Sequence, residues 1–520
     1  MPSQRQLDGQ SPKDAPGSRY TFFRVAPAGM YTFLRVPPAG RGTLIRVATK
    51  IGQLAQEVSR LNPWWRDPNW AATDPDLRDA AQTGLNHRSG VLDDLRPAGL
   101  YILRGPRRAG KTVTVKQSIE DLISESIPAT SIVRLAVDGW SAKDLRTVAQ
   151  NTALPPVPAG HHRTWMFDEV SAITGDWPQQ IKWLRDNDPE FRDATVVLTG
   201  SNATALTDAA GTLAGRRGTA PRLDRALLPI GFRTFAHLVR EDALPDVGPL
   251  NLSELRSPAA RDAYHGCVAW LDELVETWET YILYGGFPTA VAAAASGQPL
   301  PDSFVDDLFN VIAGDAFKSS RLSVTTEMAL LERLWSAMAS PANLTSIGTD
   351  VGVTHDVVAR HVGYLRDSYL LWNCPQKSNK HWLALARAQD KIYAIDPLIA
   401  RLSHLRNPAR ADIDPTVLTE MQIGMAVRRN VAAANPTALN DDFLFHMRTP
   451  ARKEIDFVAH GLAGTAIESK YSEGGSWHAE SATINASEWA GLLCTRNVLD
   501  TNASDAWAVP AGILAYLIDT

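Results

Sequence analysis

The sequence predicts an α/β protein with a parallel sheet in its first half, followed by a mainly helical region and a smaller second sheet. The apolar run Leu100 to Leu103 precedes a glycine-rich turn and then apolar residues at helical spacing. A second apolar run, Trp165 to Phe167, ends in two acids. Short apolar stretches between 454 and 509 predict the second sheet, which we expect to be mixed.

Length and composition are those of an ordinary globular protein. The 520 residues are 44% hydrophobic and 21% charged, with a net charge of −5. This balance gives no global indication of nucleic-acid binding. The cysteines Cys267, Cys374 and Cys494 lie far apart, so we expect neither a disulfide framework nor a zinc cluster. Without a long apolar run or a secretory pattern, the sequence favours a cytoplasmic protein and no membrane contact.

Residues 1–50 contain a short repeat with a period of 11, carried by Thr21 to Val25, Thr32 to Val36 and Thr43 to Val47. Eight Lys and Arg stand against two Asp, a formal charge of about +6. One interpretation is a basic arm that contacts nucleic acid or another anionic partner. The other, which we prefer, is a weakly ordered extension, with Met30 as an alternative first residue, because three short copies cannot build a solenoid core.

The spacing Gly105-x4-Gly110-Lys111-Thr112 is that of a phosphate-binding P-loop. In this motif backbone N–H groups and a helix N-terminus face a polyphosphate. Lys111 would reach the β- and γ-phosphates of ATP, and the Thr112 hydroxyl would bind Mg²⁺. The candidate nucleotide-binding residues of the loop are Gly105, Pro106, Arg107, Arg108, Ala109, Gly110, Lys111, Thr112 and Val113. The structural alternative is a glycine turn before an ordinary helix.

Two further strand ends carry candidate residues. Asp168 and Glu169 follow the second apolar run, where a parallel strand delivers its last side chains to the ligand-binding edge of the sheet. Asp168 is predicted to hold Mg²⁺ and Glu169 to orient or deprotonate water. The strand after Ala194 ends in Ser201 and Asn202, which would sense the γ-phosphate if that strand lay between the other two.

Arg216 and Arg217 follow on a glycine-flanked turn. Either arginine could stabilise transition-state charge in its own subunit or in a neighbouring one, and Arg216 is our candidate. Two solvated surface arginines are an equally good interpretation.

These elements together resemble the prokaryotic AAA-type ATPases that carry a DUF4143 C-terminal region. The resemblance covers most of residues 62–520. It is carried by the ordered motifs Gly105 to Thr112, Asp168-Glu169, Leu198 to Ser201, Leu213 to Arg216, Leu228 to Phe235, Gly285 to Pro288, Asp315, Lys391 to Asp396, Glu454 to Phe457 and Ala466 to Lys470. The chain departs from the family pattern at Ala236, where a polar or charged residue is usual.

Residues 1–50 have no counterpart in the family and are predicted to form a separate N-terminal extension. For the rest of the chain, the residue pattern and the resemblance predict an AAA-type domain (51–235), a helical lid or linker (236–335), a winged helix-turn-helix (336–398) and a restriction-endonuclease-like domain (399–520). The second helix of the winged helix, predicted at 354–368, balances two arginines against two aspartates. Phosphate binding demands a basic face, so DNA contact and a structural or protein-docking role both remain open for this module.

The last 100 residues contain a second constellation. Asp456, followed by Glu468 and Lys470 on a neighbouring strand, resembles the core of PD-(D/E)xK nucleases, in which carboxylates bind Mg²⁺ and a lysine helps activate water. Glu420 on a preceding helix is a further candidate. An ordinary salt-bridged pair of strands is the structural alternative.

The sequence therefore predicts a Mg²⁺-dependent ATPase whose nucleotide state controls a C-terminal winged-helix and nuclease-like module. Two alternatives come from other classes: an ATP-gated DNA nuclease, and a non-hydrolysing, nucleotide-dependent protein that acts by binding partners. ATP is the predicted ligand, with DNA or another protein as candidate partners, and the oligomeric state is open.

Overall fold

The structure is a computed structural model that describes residues 24–25, 32–33, 52–151, 154–240, 244–319, 322–434, 443–449, 451–502 and 505–519. Two short strands, β1 (Arg24–Val25) and β2 (Thr32–Phe33), come from the first two repeat copies and pair antiparallel. The rest of the repetitive segment, including its third copy and the predicted weak order of the extension, lies outside the described residues.

The first half of the chain forms a five-stranded parallel sheet with helices on both sides. Its elements, in chain order, are α1 (52–61), α2 (Trp70–Thr73), α3 (Pro75–Gln82), β3 (Leu100–Arg104), α4 (Lys111–Ser124), β4 (Ile132–Ala136), α5 (Ala142–Asn151), β5 (Thr164–Asp168), α6 (Trp177–Asn187), α7 (Pro189–Asp193), β6 (Thr195–Gly200), α8 (Ala203–Thr212) and β7 (Asp224–Ala226). The strands lie in the order β4-β5-β6-β3-β7. The predicted fold class of this half is confirmed.

Strand order decides which residues meet at the functional edge. β6 pairs with β3 on one side and with β5 on the other, so it lies between the P-loop strand and the acidic strand, as its polar end suggested. Nearly every residue of β3 to β6 is buried, which explains their continuous apolar runs. Because all five strands are parallel, their carboxyl ends share one edge.

The tryptophan-rich loop before the sheet anchors a segment to the core. The indole N–H groups of Trp64 and Trp65 both donate to the carbonyl oxygen of Ile132, at 3.1 and 2.8 Å. Trp70 packs against Trp64 with ring centroids 4.9 Å apart, and both side chains are buried. These rings are therefore part of the fold and do not face a ligand.

A helical region follows the parallel sheet. It consists of α9 (Phe232–Val239), α10 (Pro258–Gly266), α11 (Leu271–Tyr284), α12 (Pro288–Ala295), α13 (Asp302–Ser319), α14 (Val324–Trp335), α15 (Leu344–Val351), α16 (His355–Asp367), β8 (Leu371–Cys374), β9 (Lys391–Ala394), α17 (Pro397–Arg406) and α18 (Pro415–Ala434). α15 ends at Gly352 in the left-handed conformation (φ 75°), and α16 and the antiparallel hairpin β8-β9 follow. α16 lies at the predicted position of the second helix, and α15 and the hairpin lie within 336–398; the winged helix-turn-helix itself stays a prediction.

The second sheet contains β10 (Phe445–Arg448), β11 (Glu454–Val458), β12 (Thr465–Ser469), β13 (Ala490–Thr495) and β14 (Trp507–Pro510), with α19 (Trp477–Glu480), α20 (Ala482–Asn485) and α21 (Ala511–Ile518). The strands follow each other in sequence order, the first three antiparallel and the last three parallel. The sheet is mixed, as predicted. Every residue of α21 is buried, and this helix packs against α9, α11 and α18.

One cluster of buried side chains runs from Ile230 to Ile518 through the helical region and the second sheet. The parallel sheet has its own clusters on its two faces. The proposed boundaries near 335 and 398 thus do not separate cores within the described residues, and the finer division into domains stays a prediction. Among the helices described, none is both long and apolar enough to cross a membrane.

Candidate functional site

The P-loop connects β3 to α4 in the conformation that the glycine spacing predicts. Gly110 has a φ of 93° and caps α4, and Gly105 has a φ of 152°. A Cβ on Gly105 would lie 2.1 Å from the carbonyl oxygen of Leu227. The first glycine therefore permits close contact with the segment after β7, and the second turns the chain into the helix.

Lys111 is the first residue of α4, and its ammonium group lies against its own loop. Nζ donates to the carbonyl oxygens of Gly105 and Pro106 at 2.8 and 2.9 Å. Burial lowers the pKa of Lys111 to about 8, although the nearby carboxylates of Glu169 and Asp168 act in the opposite direction. The lysine is held where a polyphosphate could exchange for these carbonyl contacts.

The acidic pair lies at the same edge of the sheet. Asp168 is buried at the end of β5, where Oδ1 accepts a hydrogen bond from the Thr199 hydroxyl at 2.7 Å. Its Oδ2 accepts from the guanidinium of Arg134 on β4 at 2.6 Å. The aspartate is fixed by both neighbouring strands. Neither partner was predicted from the sequence.

Glu169 has a left-handed backbone (φ 62°), which is uncommon for a residue other than glycine and occurs often at functional sites. Its Oε1 accepts from the Ser201 backbone N–H at 3.1 Å, from the Ser201 hydroxyl at 3.0 Å and from the Ser171 hydroxyl. The structure thus joins Glu169 and Ser201. Asn202 instead caps α8, with Oδ1 accepting from the N–H of Ala205 at 2.9 Å.

A third carboxylate, Asp138, follows β4 at this edge. Burial, together with the charges of Glu169 and Asp168, raises the pKa of Asp138. Asp138 could not be chosen from the sequence, because one acid after a strand is common and only the strand order places it beside the other two.

A cleft of about 1260 Å³ opens beside the P-loop. Arg108, Ala109, Gly110 and Val113 of the predicted set line it. The remaining wall comes from segments that were not predicted to line the site. It includes 83–91 before β3, β7 with the residues that follow it (224–231), Pro288 and Thr289 at the start of α12, and Arg429 on α18. Base and ribose can occupy such a cleft while the phosphates lie on the loop. Thr112 lies in the first turn of α4, half-buried.

Elements of the C-terminal half cover the phosphate end of the site. Arg107 and Ser201 line a small pocket together with α13 and with Tyr364 and Ser368 of the α16 end. The guanidinium of Arg108 pairs with Asp307 on α13 at 3.0 Å. α16 also contacts α8 and α13, so part of the second helix of the helix-turn-helix is packed on the P-loop domain.

Arg216 lies away from this edge. Its guanidinium pairs with Asp186, at the end of α6, at 2.7 Å. The N–H of Leu100, at the amino end of β3, donates to the carbonyl oxygen of the next residue, Arg217. The Arg216–Arg217 turn is thus at the edge opposite the P-loop, and Arg216 does not reach the site of its own chain in this arrangement. Its action on a neighbouring subunit stays a prediction.

The second constellation is brought together, but around a residue that the sequence did not single out as functional. Asp456 on β11 and Glu468 on β12 lie on paired strands, and Lys470 pairs with Glu468 at 2.9 Å. The ammonium of Lys391, from β9, lies 2.8 Å from Asp456 Oδ1 and 2.9 Å from Glu420 Oε1. The signal that could have found it is a lysine at the start of an apolar strand, since buried charges are almost always paired.

Two family models match parts of the chain. Residues 98–236 match an AAA domain family (AAA_14), and residues 275–409 match a domain of unknown function, DUF8612. The second match stands where the sequence resemblance implied a DUF4143 region. A search of curated proteins gave no match.

Solved structures with similar folds include the Walker-type ATPase of Pyrococcus abyssi, at 12% identity and a TM-score of 0.35, covering 63% of this chain and 95% of that one. The Aeropyrum pernix ORC2 protein is 11% identical with a TM-score of 0.29, covering 65% and 95%. The ORC1 protein of that organism, solved with DNA, is 11% identical with a TM-score of 0.27, covering 64% and 91%. Similarity this low carries no argument about function.

The family match and the geometry agree on one part of the chain. The match spans β3, the P-loop, the acidic strand and the strand between them. These are the elements that place Lys111, Asp168 and Glu169 at one edge. Residues 98–236 therefore form an AAA-type P-loop ATPase domain.

Proposed function

We propose that this protein binds MgATP at the P-loop edge, hydrolyses it, and uses its nucleotide state to change how the C-terminal half sits on the ATPase domain. The carrying observation is that a P-loop lysine after β3 and an acidic pair after β5, two strands away, lie at one edge of a parallel sheet. Phosphoryl transfer from a nucleotide depends mainly on positioning and charge stabilisation, and these groups supply both.

In this proposal the phosphates of ATP replace carbonyl oxygens of the loop as the hydrogen-bond acceptors of Lys111. Lys111 exchanges two loop carbonyls for phosphate oxygens, and the backbone N–H groups at the start of α4 face the same charge. The cleft between 83–91 and 224–231 takes the base and ribose. Both segments are given this role because they line the cleft beside the P-loop.

The residues present fit a magnesium ion that arrives with ATP. Thr112 offers a hydroxyl oxygen, and each oxygen of Asp168 accepts one hydrogen bond and so retains acceptor capacity. Hard oxygen donors combined with substrate phosphates are the usual environment of Mg²⁺. Arg134 balances part of the negative charge that Asp168, Glu169 and Asp138 gather at this edge.

Glu169 is proposed to direct the attacking water. The bonds from Ser201 and Ser171 use one of its oxygens, Oε1, and fix the carboxylate. Oε2 is then available to accept a proton from water or to orient it. Ser201 follows β6, between the phosphate loop and the acidic strand, so it is placed to couple the position of Glu169 to the γ-phosphate.

The C-terminal half is proposed to respond because it touches the site directly. The Arg108–Asp307 pair and the packing of α13 and α16 beside Arg107 and Ser201 would all be affected by a bound triphosphate. Since α16 contacts the ATPase domain and carries no net charge, we favour docking over DNA reading as its role. DNA and a protein partner remain the two candidate ligands of the whole chain.

ATPase measurements on two variants test the proposal. Lys111→Ala should lose ATP binding and turnover, because the main phosphate-binding cation is removed. Glu169→Gln should retain ATP binding but lower kcat by about 10²–10⁴-fold, the range expected for a general base. Glu190→Gln, the same substitution at an exposed glutamate paired with Arg163, is the matched control and should leave kcat unchanged.

Each outcome separates the candidate functions. Full turnover by Lys111→Ala or Glu169→Gln would refute the assignment of this site. Tight ATP binding by the wild type with no turnover, in the presence or absence of DNA, would favour the non-hydrolysing binding protein. The DNA-nuclease alternative needs a divalent ion among the C-terminal carboxylates, and the arrangement there argues against it.

A further inference from the structure

We propose that the ammonium group of Lys391 is the permanent cation of the C-terminal carboxylate cluster, in place of the divalent metal that a PD-(D/E)xK nuclease holds there. The cluster would then fasten the β8-β9 hairpin to the second sheet and would not cut DNA. This inference concerns the C-terminal half and does not depend on whether the P-loop hydrolyses ATP.

Lys391 is surrounded by three carboxylates. Its Nζ lies 2.7 Å from Glu454 Oε1, 2.8 Å from Asp456 Oδ1 and 2.9 Å from Glu420 Oε1. Asp456 and Glu420 accept hydrogen bonds from the ammonium group, and Glu454 forms an ion pair with it. The side chain is 0% exposed, so water does not compete for these contacts.

The charge on this lysine is stable in its surroundings. Burial opposes the charge, but the attraction of Asp456, Glu420 and Glu454 holds the pKa of Lys391 well above its usual value. Tyr393, two residues along the same strand, donates its hydroxyl to Glu420 Oε1 at 2.5 Å. The strand thus contributes both a cation and a neutral donor to the cluster.

A magnesium ion does not fit beside this lysine. Mg²⁺ needs oxygen ligands at about 2.0–2.1 Å in a near-octahedral arrangement. The oxygens that would supply them, Asp456 Oδ1 and Glu420 Oε1, are already within hydrogen-bond distance of Nζ. Asp456 Oδ2 accepts from the Ser469 N–H at 2.9 Å, and Glu468 Oε1 from Lys470. In the described part of the chain, no three His, Cys, Asp or Glu side chains are arranged to hold a metal.

The contacts around the cluster show what the lysine joins. Glu420 belongs to α18, Glu454 and Asp456 to β11, and Lys391 to the hairpin. Beside the ion cluster, Phe457 of β11 packs against Tyr393 of β9 and Trp372 of β8, with ring centroids 6.0 and 6.4 Å apart. The hairpin is therefore held to the sheet by an ionic and an aromatic contact side by side.

Binding of Mn²⁺ to the nucleotide-free full chain tests the proposal, measured by titration calorimetry or by the EPR signal of the free ion. The wild type and Asp456→Asn should bind the same number of ions, since Asp456 holds no metal. Lys391→Met, which keeps the length but removes the charge, should gain one Mn²⁺ site. The double variant Lys391→Met/Asp456→Asn should lose that added site. Lys453→Met, an exposed lysine in the adjoining turn, is the matched control and should behave as the wild type.

The proposal is wrong if the wild type binds one Mn²⁺ ion that Asp456→Asn does not bind. A free acceptor is present for such an ion, because Glu468 Oε2 is buried and has no partner among the described residues. If Lys391→Met folds only when Mn²⁺ is added, the ion is replacing the lysine, which supports the proposal. If it folds and gains no site, the cluster is not a displaced metal site, and the proposal fails.

Discussion

Lys111 is a buried lysine of the P-loop. Because burial lowers its pKa to about 8 in the nucleotide-free protein, the lysine loses its proton as the pH rises past that value. Bound phosphates favour the charged form and raise the pKa again. ATP binding should therefore take up a proton, and affinity should fall as the pH rises above about 8.

Calorimetry in buffers of different ionisation enthalpy measures this uptake. For a free-state pKa of about 8 we expect about 0.1 proton per ATP at pH 7 and about 0.5 at pH 8, the fractions of lysine that are deprotonated there. Saturating Mg²⁺ keeps the nucleotide itself from titrating in this range. Equal uptake by wild type and by Lys111→Arg, whose guanidinium does not titrate, would assign the proton to another group.

The partner of Arg134 could not be predicted from the sequence. An arginine within the apolar stretch Ser131 to Val137 is visible in the sequence, and a buried charge demands a partner, but the partner comes from β5, 34 residues later. Lys391 is the same case, with acceptors 29 to 65 residues away. Lys111, Asp168 and Glu169 could be chosen as candidates because their motifs are local and their chemistry is tied to strand ends, and their roles stay predictions.

Removing Arg134 should destabilise the protein. Arg134→Met leaves Asp168 buried without its cation, and breaking such a pair costs about 3–5 kcal/mol. The measurement is the free energy of unfolding without nucleotide, from a urea titration. Arg134→Met/Asp168→Asn should recover part of the loss, because no uncompensated charge remains. Arg333→Met, which removes an arginine from a half-exposed pair with Asp350, should change stability by less than about 1 kcal/mol. Equal effects of the two single substitutions would contradict this account.

At the scale of elements, the segment Gly285 to Pro288 joins three parts of the molecule. The Gly286 N–H donates to Asp396 Oδ2 at 2.7 Å, and its carbonyl oxygen accepts from the N–H of Ile230 at 2.8 Å. Pro288, at the start of α12, lies beside Gly110 of the P-loop. The joint thus touches the P-loop, the end of the AAA-type domain and Asp396, two residues after β9.

Gly286→Ala should break this joint. A Cβ at this position would lie 2.1 Å from the carbonyl oxygen of Ile230, which is backbone and cannot turn away. We expect a loss of more than about 2 kcal/mol in the free energy of unfolding, since overpacking typically costs 1–3 kcal/mol. Gly211→Ala, in α8 with nothing within 4 Å, is the control and should gain up to about 1 kcal/mol. Similar stability of the two variants would show that the backbone contact is not rigid.

The elements themselves were largely predictable, and their joints were not. Hydrophobic periodicity and strand ends are local signals, and they placed the parallel sheet, the helix at 354–368 and the mixed second sheet. The cleft wall at 83–91 is different, since it contains no apolar strand or motif and lines the site only because β3 brings it there. Arg216 also lies in a local motif, but the motif does not reveal at which edge of the sheet the turn lies.

At the scale of the whole molecule, the buried core from Ile230 to Ile518 makes the C-terminal half one packed body. Arg429 illustrates this, because it lines the nucleotide cleft while its guanidinium pairs with Asp519 at 2.5 Å near the end of the chain. Asp519 also accepts the N–H of Phe232 at 2.7 Å. A nucleotide bound in this cleft, as proposed, would contact groups that are bonded through this core.

Hydrogen exchange should reveal which openings are linked to the nucleotide. A segment that exchanges only when the site is disrupted gains RT ln(1 + [L]/Kd) in protection, about 2.7 kcal/mol or about 100-fold at 100 times Kd. In Glu169→Gln with MgATP we expect this slowing at the P-loop, at 285–291 and at 302–312. The amide groups of strand β13 should exchange more slowly only if the C-terminal half opens together with the nucleotide site as one unit. Lys111→Ala with MgATP is the control and should show none of these changes. If the slower exchange is confined to residues 83–117, nucleotide stabilises only its own cleft and does not change the opening of the C-terminal half.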